Sequence, residues 1–444
     1  VPHRRRAYAI PARMQHATPH AHARARPAPC AQMSLNAFLA RSHARLHELH
    51  NEGGGAPPAK LHIVLGNEAA DPDSCVCAIA AAAALDMALG QEEDVLVAPL
   101  ILVPRGDFKL QLDRVHLLRR AQLAGEGDGP SWTPSHVSFA DELDLSDLAA
   151  RLPLALHLVD HNKLSTPLAS FAPHVASIID HHAEEGLYTD SVPTDDRVVE
   201  LGIGSCSSLV AEHIRKVAPS LLSEPPICAL LLGAILLDTV NLEPAAKAQK
   251  PREASIANEL LAVCAESLGL PQQAGADMSA ESAIEASRAH FFNELLEVKA
   301  DTKLLLAFPT ADLLRQDYKE EVLGADGAAR VGVGSVVLPL PALLARQSGS
   351  QLQAECAAFA AGRHLDLLLL MAVDLPQKQR YLLLHCADAA LRTRALSAME
   401  AADVRLTPLA DAGAAGDADE VQSCFAMGNY KVSRKVLLPI LRAM

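Results

Sequence analysis

Residues 61–85 read LHIVLGNEAADPDSCVCAIAAAAAL. The apolar run at residues 61–65 ends at Gly66, which is typical of a buried strand. An Ala-rich stretch without Gly or Pro begins at Cys75 and predicts a buried helix. The loop between them contains three candidate ligands, Asn67, Asp71 and Asp73. This stretch therefore predicts a strand, a polar loop and a helix, in that order.

The same alternation recurs along the chain. Further strand candidates are residues 94–103, 154–159, 175–179, 303–308, 330–338, 365–373 and 380–386. Helix candidates include residues 110–123, 207–217, 226–237 and 282–298. Alternating strands and helices predict an α/β fold with a parallel sheet, and ligands of such sheets bind outside the carboxyl ends of the strands. We therefore expect two α/β domains, with the active site in the cleft between them.

The chain has 444 residues, which is more than one hydrophobic core usually supports. The predicted units are an N-terminal extension at 1–47, a metal-binding catalytic domain at 48–245, a helical connection at 246–285 and a smaller substrate-binding domain at 286–444. The extension contains eight Arg and no Asp or Glu. This composition fits a transit peptide or a translated upstream stretch, because Met33 opens a plausible helix. We expect a cytoplasmic protein, or a mitochondrial or plastid one if the extension is a transit peptide.

The overall composition disfavours two classes of partner. The formal net charge is −14, whereas general nucleic-acid binders present a basic surface. The longest apolar runs, such as residues 229–237, are much shorter than the roughly 20 residues of a membrane span. The nine cysteines form no CxxC pair, which is typical of reduced thiols. We therefore expect neither nucleic acid nor a membrane as partner, and the oligomeric state stays open.

Acids and histidines follow the apolar runs in three further places. They are LHLVDHNK at 156–163, with Asp160 and His161; ASIIDHHAEEG at 176–186, with His181 and His182; and ILLDTVN at 235–241, with Asp238. A single Asp of this kind is often only a helix cap. Four such sites, two of them with adjacent histidines, favour a metal centre. Carboxylate and imidazole ligands suit two Mn²⁺ or Mg²⁺ ions, and such a pair suits phosphoryl transfer.

These motifs resemble those of the DHH phosphoesterase superfamily, because IIDHH at 178–182 matches the motif that names it. GNEAADPDS at 66–74, LVDHN and ILLDTVN are most similar to those of eukaryotic exopolyphosphatases and prune-type phosphodiesterases. The resemblance covers about residues 34–444. It implies a DHH domain followed by a DHHA2 domain, and hydrolysis of the terminal phosphate of inorganic polyphosphate with release of orthophosphate. A prune-like phosphodiesterase, a short-chain polyphosphatase or inorganic pyrophosphatase, and a scaffold protein stay open as alternatives.

The resemblance also implies roles for the candidate metal ligands. Asp71 and Asp73 would each bind one cation and Asp160 would bridge both. His181 and Asp238 would complete the set, with His182 as general acid and His161 as a second catalytic candidate. Asn67 stands where family II inorganic pyrophosphatases have a His ligand. It is therefore a weak or absent ligand, and it favours polyphosphate over pyrophosphate.

The same resemblance implies a set of substrate ligands. Gly204 and Ser205, in LGIGSCSSLVAE at 201–212, would receive phosphate oxygens at a helix N-terminus. The predicted cationic ligands are Lys319, Arg434 and Lys435, in LLRQDYK at 313–319 and YKVSRKVLLPIL at 430–441. Without the resemblance, Arg434 and Lys435 are more typical of a helix start on a solvated face. Gln316 stands where relatives often have Lys, with Arg315 beside it.

Overall fold

The structure is a computed structural model. It describes residues 34–51, 57–90, 94–129, 132–243, 250–271, 279–323, 329–347, 349–409 and 422–444. The predicted transit peptide or upstream stretch at residues 1–32 lies outside the described residues.

The described fold begins with helix α1, Leu35–His50. Ser34 caps it by accepting a hydrogen bond from the Ala37 amide, and Leu39 and Leu46 are almost fully buried. Residues 34–444 form one compact unit. The predicted N-terminal extension at 1–47 is therefore too long, because an amphipathic helix at 35–50 packs its leucines onto the first sheet.

The first sheet is wholly parallel and has six strands in the order β5-β2-β1-β6-β7-β8. The strands are β1 Lys60–Leu65, β2 Val95–Ile101, β5 Ser138–Phe139, β6 Leu154–Val159, β7 Val175–Asp180 and β8 Arg197–Val199. A separate small hairpin pairs β3 Gly125–Glu126 with β4 Thr133–Pro134. Because all strands of the main sheet run in one direction, their carboxyl ends meet at one edge.

Helices cover both faces of this sheet. They are α2 Pro72–Leu89, α3 Arg105–Phe108, α4 Leu112–Arg120, α5 Leu145–Arg151, α6 Cys206–Val217, α7 Pro225–Asp238, α8 Lys250–Cys264 and α9 Ala280–Lys299. Helix α2 is long and apolar enough to span a membrane, but 67% of it is buried inside the fold. Helices α8 and α9 share the core of the first sheet through side chains such as Leu260 and Phe291. The predicted connection at 246–285 thus contains a helix that packs as part of the first lobe.

The second sheet is mixed and has the order β13-β14-β12-β11-β10-β9. Its strands are β9 Lys319–Leu323, β10 Ala329–Val336, β11 Leu367–Asp374, β12 Gln379–His385, β13 Leu406–Pro408 and β14 Gln422–Met427. Only β10 and β11 pair in parallel. The helices of this lobe are α10 Thr302–Leu306, α11 Thr310–Leu314, α12 Leu340–Arg346, α13 Gly349–Gly362, α14 Ala389–Ala401 and α15 Arg434–Arg442.

The predicted strand at residues 303–308 is wrong, because α10 occupies this segment. Asp301 caps the helix, and its carboxylate accepts hydrogen bonds from the amides of Lys303 and Leu304 at 2.9 and 3.0 Å. A side chain that binds the first free amides of a turn stabilises a helix against a strand. An apolar run alone does not separate the two states.

Candidate metal centre

The predicted ligands meet at the carboxyl edge of the first sheet. Asp71 and Asp73 follow β1 at the start of α2, Asp160 follows β6, and His181 and His182 follow β7. Asp238 was predicted after a strand, but it is the last residue of α7. The apolar run before it is a buried helix. In the sequence, such an unbroken apolar run looks the same as a buried strand.

Two groups of these side chains have ligand atoms within 4.8 Å of one another. One group is Asp160, His181 and His182, and the other is Asp73, His181 and Asp238. Since His181 belongs to both groups, the two clusters are adjacent. Asp71 is outside both groups. Burial raises its pKa most, and the charge of the nearby Asp73 raises it further.

Helix N-termini orient the two acids that follow β1. Asp71 is the N-cap of α2 and accepts a hydrogen bond from the Ser74 amide at 2.9 Å. Asp73 is buried and accepts hydrogen bonds from the Ser205 hydroxyl at 2.9 Å and from the Cys206 amide at 2.7 Å, at the start of α6. The positive end of a helix dipole stabilises such a carboxylate. The Asp73 side chain is therefore fixed before any ligand arrives.

Asp160 has the features of a cation ligand. Its backbone is left-handed, with φ of 61°, and Asn67 donates a hydrogen bond to Oδ2 at 2.8 Å. Oδ1 is buried and has no hydrogen-bond partner in the part of the chain that the structure describes, although Nε2 of His181 lies 3.3 Å away. A buried carboxylate oxygen without a partner is costly unless an ion satisfies it. The residues present therefore fit a divalent cation here. The Asn67 side chain orients Asp160 through this hydrogen bond.

The electrostatics describe a site in need of positive charge. Burial, together with the nearby Asp73 and Asp71 carboxylates, raises the pKa of Asp160 to about 8. Burial and the nearby Asp73 carboxylate raise the pKa of Asp238 well above the usual range, although the residue keeps exposed surface. Burial opposes protonation of His181, but Asp160 and Asp73 raise its pKa to about 9. Mutual repulsion of acids at this density is relieved by cations or by protons.

Asp180 is a site residue that the sequence analysis passed over. It is fully buried, and its Oδ1 accepts hydrogen bonds from the His181 amide at 2.8 Å and from Nδ1 of His182 at 2.8 Å. Its Oδ2 accepts a hydrogen bond from the Asn162 side chain at 2.5 Å. The hydrogen bond between Nδ1 of His182 and Asp180 raises the pKa of His182. It leaves Nε2 as the ring nitrogen for proton exchange. The first letter of the DHH motif was the signal that could have identified Asp180.

His161 lies in the cleft wall, with its Nδ1 2.9 Å from the Val159 carbonyl oxygen. Burial lowers its pKa, so its ring is neutral at neutral pH. In the described part of the chain it belongs to neither ligand group. Its catalytic role stays a prediction.

A cavity of about 550 Å³ separates the two lobes beside the acids. Its walls include Asn67, Asp71, His161 and His182 from the first lobe and Lys319, Arg434 and Lys435 from the second. Nη2 of Arg434 lies 2.7 Å from Oδ1 of Asp317, and its Nη1 is buried without a hydrogen-bond partner among the described residues. The three predicted cations therefore line the same cavity as Asp71 and Asn67, two of the predicted metal ligands.

The hydrogen-bond donors of Gly204 and Ser205 are used within the first lobe. Their amides donate to the buried Glu253 carboxylate at 3.1 and 3.3 Å, and the Ser205 hydroxyl donates to Asp73. The predicted role in binding phosphate oxygens is therefore wrong, because a carboxylate of α8 already occupies these donors. Ser205 instead orients a predicted metal ligand.

Gln316 and Arg315 connect the lobes. The buried Gln316 side chain donates a hydrogen bond to the Leu110 carbonyl of the first lobe. Arg315 Nη1 lies 2.8 Å from Oδ1 of Asp107, also in the first lobe. The side chain at the position where relatives often have Lys is thus used for contact between lobes.

The comparisons with known proteins agree with this architecture. The DHHA2 domain family matches residues 293–444. Exopolyphosphatase PRUNE1 of Rattus norvegicus is 32% identical over 388 residues, which are 86% of this chain and 75% of that protein. The Homo sapiens protein of the same name is 30% identical over the same shares.

Two further similarities are more distant. A putative exopolyphosphatase of Schizosaccharomyces pombe is 30% identical over 65% of this chain and 67% of that protein. The crystal structure of a putative family II inorganic pyrophosphatase of Methanococcus jannaschii aligns with 18% identity and a TM-score of 0.48, covering 86% of this chain and 98% of that one. From the motifs, the two-lobed fold and the PRUNE1 relatives together, the chain belongs to the prune-like exopolyphosphatase branch of the DHH phosphoesterase superfamily, with a C-terminal DHHA2 domain.

Proposed function

We propose that this protein hydrolyses the terminal phosphoanhydride bond of inorganic polyphosphate and releases orthophosphate. One observation carries the proposal: within a cluster of acids and His181, a buried Asp160 oxygen has no hydrogen-bond partner among the described residues, and the cavity that the neighbouring Asp71 lines is also lined by cations. Relatives named exopolyphosphatases support the substrate class.

The acid cluster supports a pair of divalent cations, Mn²⁺ or Mg²⁺, because oxygen and imidazole donors suit both. Asp73, Asp160, His181 and Asp238 would hold them, because their ligand atoms lie within 4.8 Å of one another in two groups that share His181. When bound, such cations neutralise charge on the phosphate and lower the pKa of water. The protein contributes a carboxylate arrangement that is fixed in advance by the hydrogen bonds to Asp73 and by the Asn67 contact to Asp160.

His182 is the proposed general acid. Asp180 accepts the hydrogen bond from Nδ1 and favours the protonated ring, so a proton can be held at Nε2 at neutral pH. From there it can pass to the oxygen of the departing phosphate. Asp180 and Asn162 act as positioning residues. Asp180 holds the His182 ring, Asn162 holds Asp180, and neither side chain lines the cavity.

On the opposite wall, Lys319, Arg434 and Lys435 are the proposed ligands of the polyphosphate chain. Nη1 of Arg434 has no hydrogen-bond partner among the described residues, so this guanidinium keeps a donor for a phosphate oxygen. Several cations around the cleft are already paired, including Arg434 with Asp317 and Arg315 with Asp107. This pairing supports a second candidate, hydrolysis of short polyphosphates, pyrophosphate or a phosphodiester at the same centre.

The experiment is phosphate release from long-chain polyphosphate, tripolyphosphate and pyrophosphate, each with Mn²⁺ or Mg²⁺, and hydrolysis of cyclic AMP under the same conditions. We expect polyphosphate turnover in the unmodified protein and none in Asp160→Asn. Asp195→Asn is the matched control, since Asp195 is an exposed acid outside the cavity wall.

The alternatives predict different results. Dominant pyrophosphate cleavage would contradict the interpretation of Asn67. Dominant cyclic AMP hydrolysis would favour a phosphodiesterase. Binding of polyphosphate without turnover under any condition would favour a scaffold protein over an enzyme.

A further inference from the structure

Lys299 is a cation of the cleft that no sequence motif indicated. It is the last residue of α9 and lies within the DHHA2 match at residues 293–444. Its side chain is in the wall of the cavity that Asp71 also lines. Its Nζ lies 2.7 Å from Oδ2 of Asp113, in the first turn of α4. A residue at the start of the second domain thus reaches the edge of the acid cluster.

The ion pair holds the ammonium group in place without using it up. Asp113 is fully buried, and its Oδ1 accepts a hydrogen bond from the Arg114 amide at 2.9 Å, which fixes the carboxylate. An ammonium group has three donors. Among the described residues, Asp113 is the one hydrogen-bond partner found for Nζ, and the side chain of Lys299 keeps 36% of its exposure. Donors remain for a ligand in the cavity.

The charge of Lys299 acts on the acid cluster. Asp113 and, more weakly, Asp71 and Asp238 raise the pKa of Lys299, so the ammonium is charged at neutral pH. In return, Lys299 is one of the charges that lower the pKa of Asp71 against the effect of burial. An anionic group that docks beside Asp71 therefore meets a fixed positive charge.

We propose that Lys299 is a substrate-positioning residue whose ammonium, held by Asp113, binds an oxygen of the phosphate group that docks beside Asp71. The inference rests on the proposed function, because it assumes that this cavity receives a phosphoanhydride. It adds a cation from the beginning of the second domain to those near its sheet and its last helix.

The test uses Lys299→Gln, Asp113→Asn and the double variant in the full chain. The probe is methylenediphosphonate, a pyrophosphate analogue that is not hydrolysed, titrated by calorimetry with Mg²⁺ present. We expect Lys299→Gln to weaken its binding about 10- to 100-fold, the range for loss of one charge-assisted hydrogen bond. Asp113→Asn keeps the ammonium and should change the affinity less than about threefold. The double variant should resemble Lys299→Gln.

Controls separate binding from folding. Lys303→Gln removes an exposed lysine that lies outside the cavity wall and should leave binding unchanged. Lys299→Arg keeps a cation and should recover at least part of the affinity. With tripolyphosphate, we expect Lys299→Gln to raise KM more than it lowers kcat. Binding of Mg²⁺ alone is measured in each variant and should change less than binding of the probe.

Two results would overturn the proposal. If Asp113→Asn weakens probe binding as much as Lys299→Gln does, and the double variant recovers it, the pair is only a structural ion pair between α4 and α9. If the loss in Lys299→Gln is matched by an equal loss of Mg²⁺ binding, Lys299 acts on the acids and not on the phosphate. A protein that binds the probe through Lys299 but hydrolyses no polyphosphate would refute the proposed function and leave this assignment intact.

Discussion

Replacing Asp160 with Asn should make the metal-free protein more stable while it removes the proposed activity. In the folded protein, burial and the surrounding acids raise the pKa of Asp160 from a usual value of 3.8 to about 8. At neutral pH the folded state must therefore either hold a proton or keep an unfavourable charge. An amide of the same shape has no such cost.

The magnitude follows from the pKa shift. Between the usual pKa and pH 7 there are roughly 3 pH units, and each unit corresponds to about 1.4 kcal/mol, so the cost at pH 7 is about 4 kcal/mol. Asn also changes the donors and acceptors around the hydrogen bond from Asn67 to Oδ2, and a weakened hydrogen bond there costs about 1 kcal/mol. The free energy of unfolding of the metal-free protein should therefore rise by about 3 kcal/mol at pH 7.

The sign of the pH dependence is a separate check. Because the pKa is raised in the folded state, the folded protein keeps this proton over a range in which the unfolded chain has released it. The contribution of Asp160 to the free energy of unfolding therefore becomes more unfavourable as pH rises from about 4 to about 8. At pH 5 the cost is only about 1.6 kcal/mol, so the advantage of the Asn variant should nearly vanish.

The assay is urea unfolding with EDTA at pH 5 and pH 7, followed by the same measurement with Mn²⁺. We expect the Asn variant to be more stable in EDTA at pH 7 and to gain less stability from Mn²⁺ than the unmodified protein. Asp195→Asn should behave like the unmodified protein throughout. An Asn variant that is less stable than the unmodified protein in EDTA at pH 7, or an advantage that does not shrink at pH 5, would refute this reasoning.

Three further predictions concern other parts of the molecule. His182→Ala should lower kcat for polyphosphate by about 10² to 10⁴-fold, as expected for loss of a general acid, and Asp180→Asn should lower it less, because it loosens the ring without removing it. Burial lowers the pKa of His62 to about 4 and that of His157 to about 3, and their rings hydrogen-bond at 2.8 Å. Below pH 6.5 the unfolded chain therefore binds protons at these histidines and the folded state does not, so the free energy of unfolding decreases as pH falls. Between pH 7 and pH 5, the free energy of unfolding of His157→Gln should decrease by about 2 kcal/mol less than that of the unmodified protein, as measured by urea unfolding. Gly66→Ala should destabilise the fold by about 1 to 3 kcal/mol in the same assay, because a Cβ there would lie 2.7 Å from the backbone of α2.

Each of these has a result that would contradict it. If kcat falls equally in His182→Ala and Asp180→Asn, Asp180 acts on the fold rather than on the His182 ring. A His157→Gln protein with the same pH dependence as the unmodified one would show that the histidine pair is not the source. Full stability of Gly66→Ala would show that the loop after β1 can move away from α2.

Local patterns predicted most of the first lobe. The strand at 154–159 has the predicted bounds, and β1, β2, α2 and α6 lie within two residues of the predictions at most ends. The strands and α2 are mostly buried, so their apolar runs are long and end at Gly or at polar residues, whereas α6 buries one face and exposes its last three residues. Residues 303–308 were harder, because a short apolar run suits a strand and a helix equally, and the Asp301 cap decided between them.

Motifs predicted the metal ligands but not what holds them. Asp71, Asp73, Asp160, His181 and Asp238 were identified from polar residues that follow apolar runs, and the fold brings them together. Asp180, Glu253 and Lys299 act through contacts with residues 2 to 186 positions away in the chain. For Gly204 and Ser205, the same lack of long-range information led to a wrong role.

The amino-acid sequence by itself determined the α/β class, the order of strands and helices in the first lobe, and which acids and histidines lie at strand or helix ends. These properties depend on hydrophobic periodicity and local capping, which act over a few residues. Only the tertiary structure decided that Glu253 occupies the Gly204–Ser205 amides, that Asp113 holds Lys299 at the cleft, and that Asp160 keeps an unpartnered oxygen. Each of these depends on distances between segments far apart in the chain, and burial and charge at such points arise only when the lobes pack.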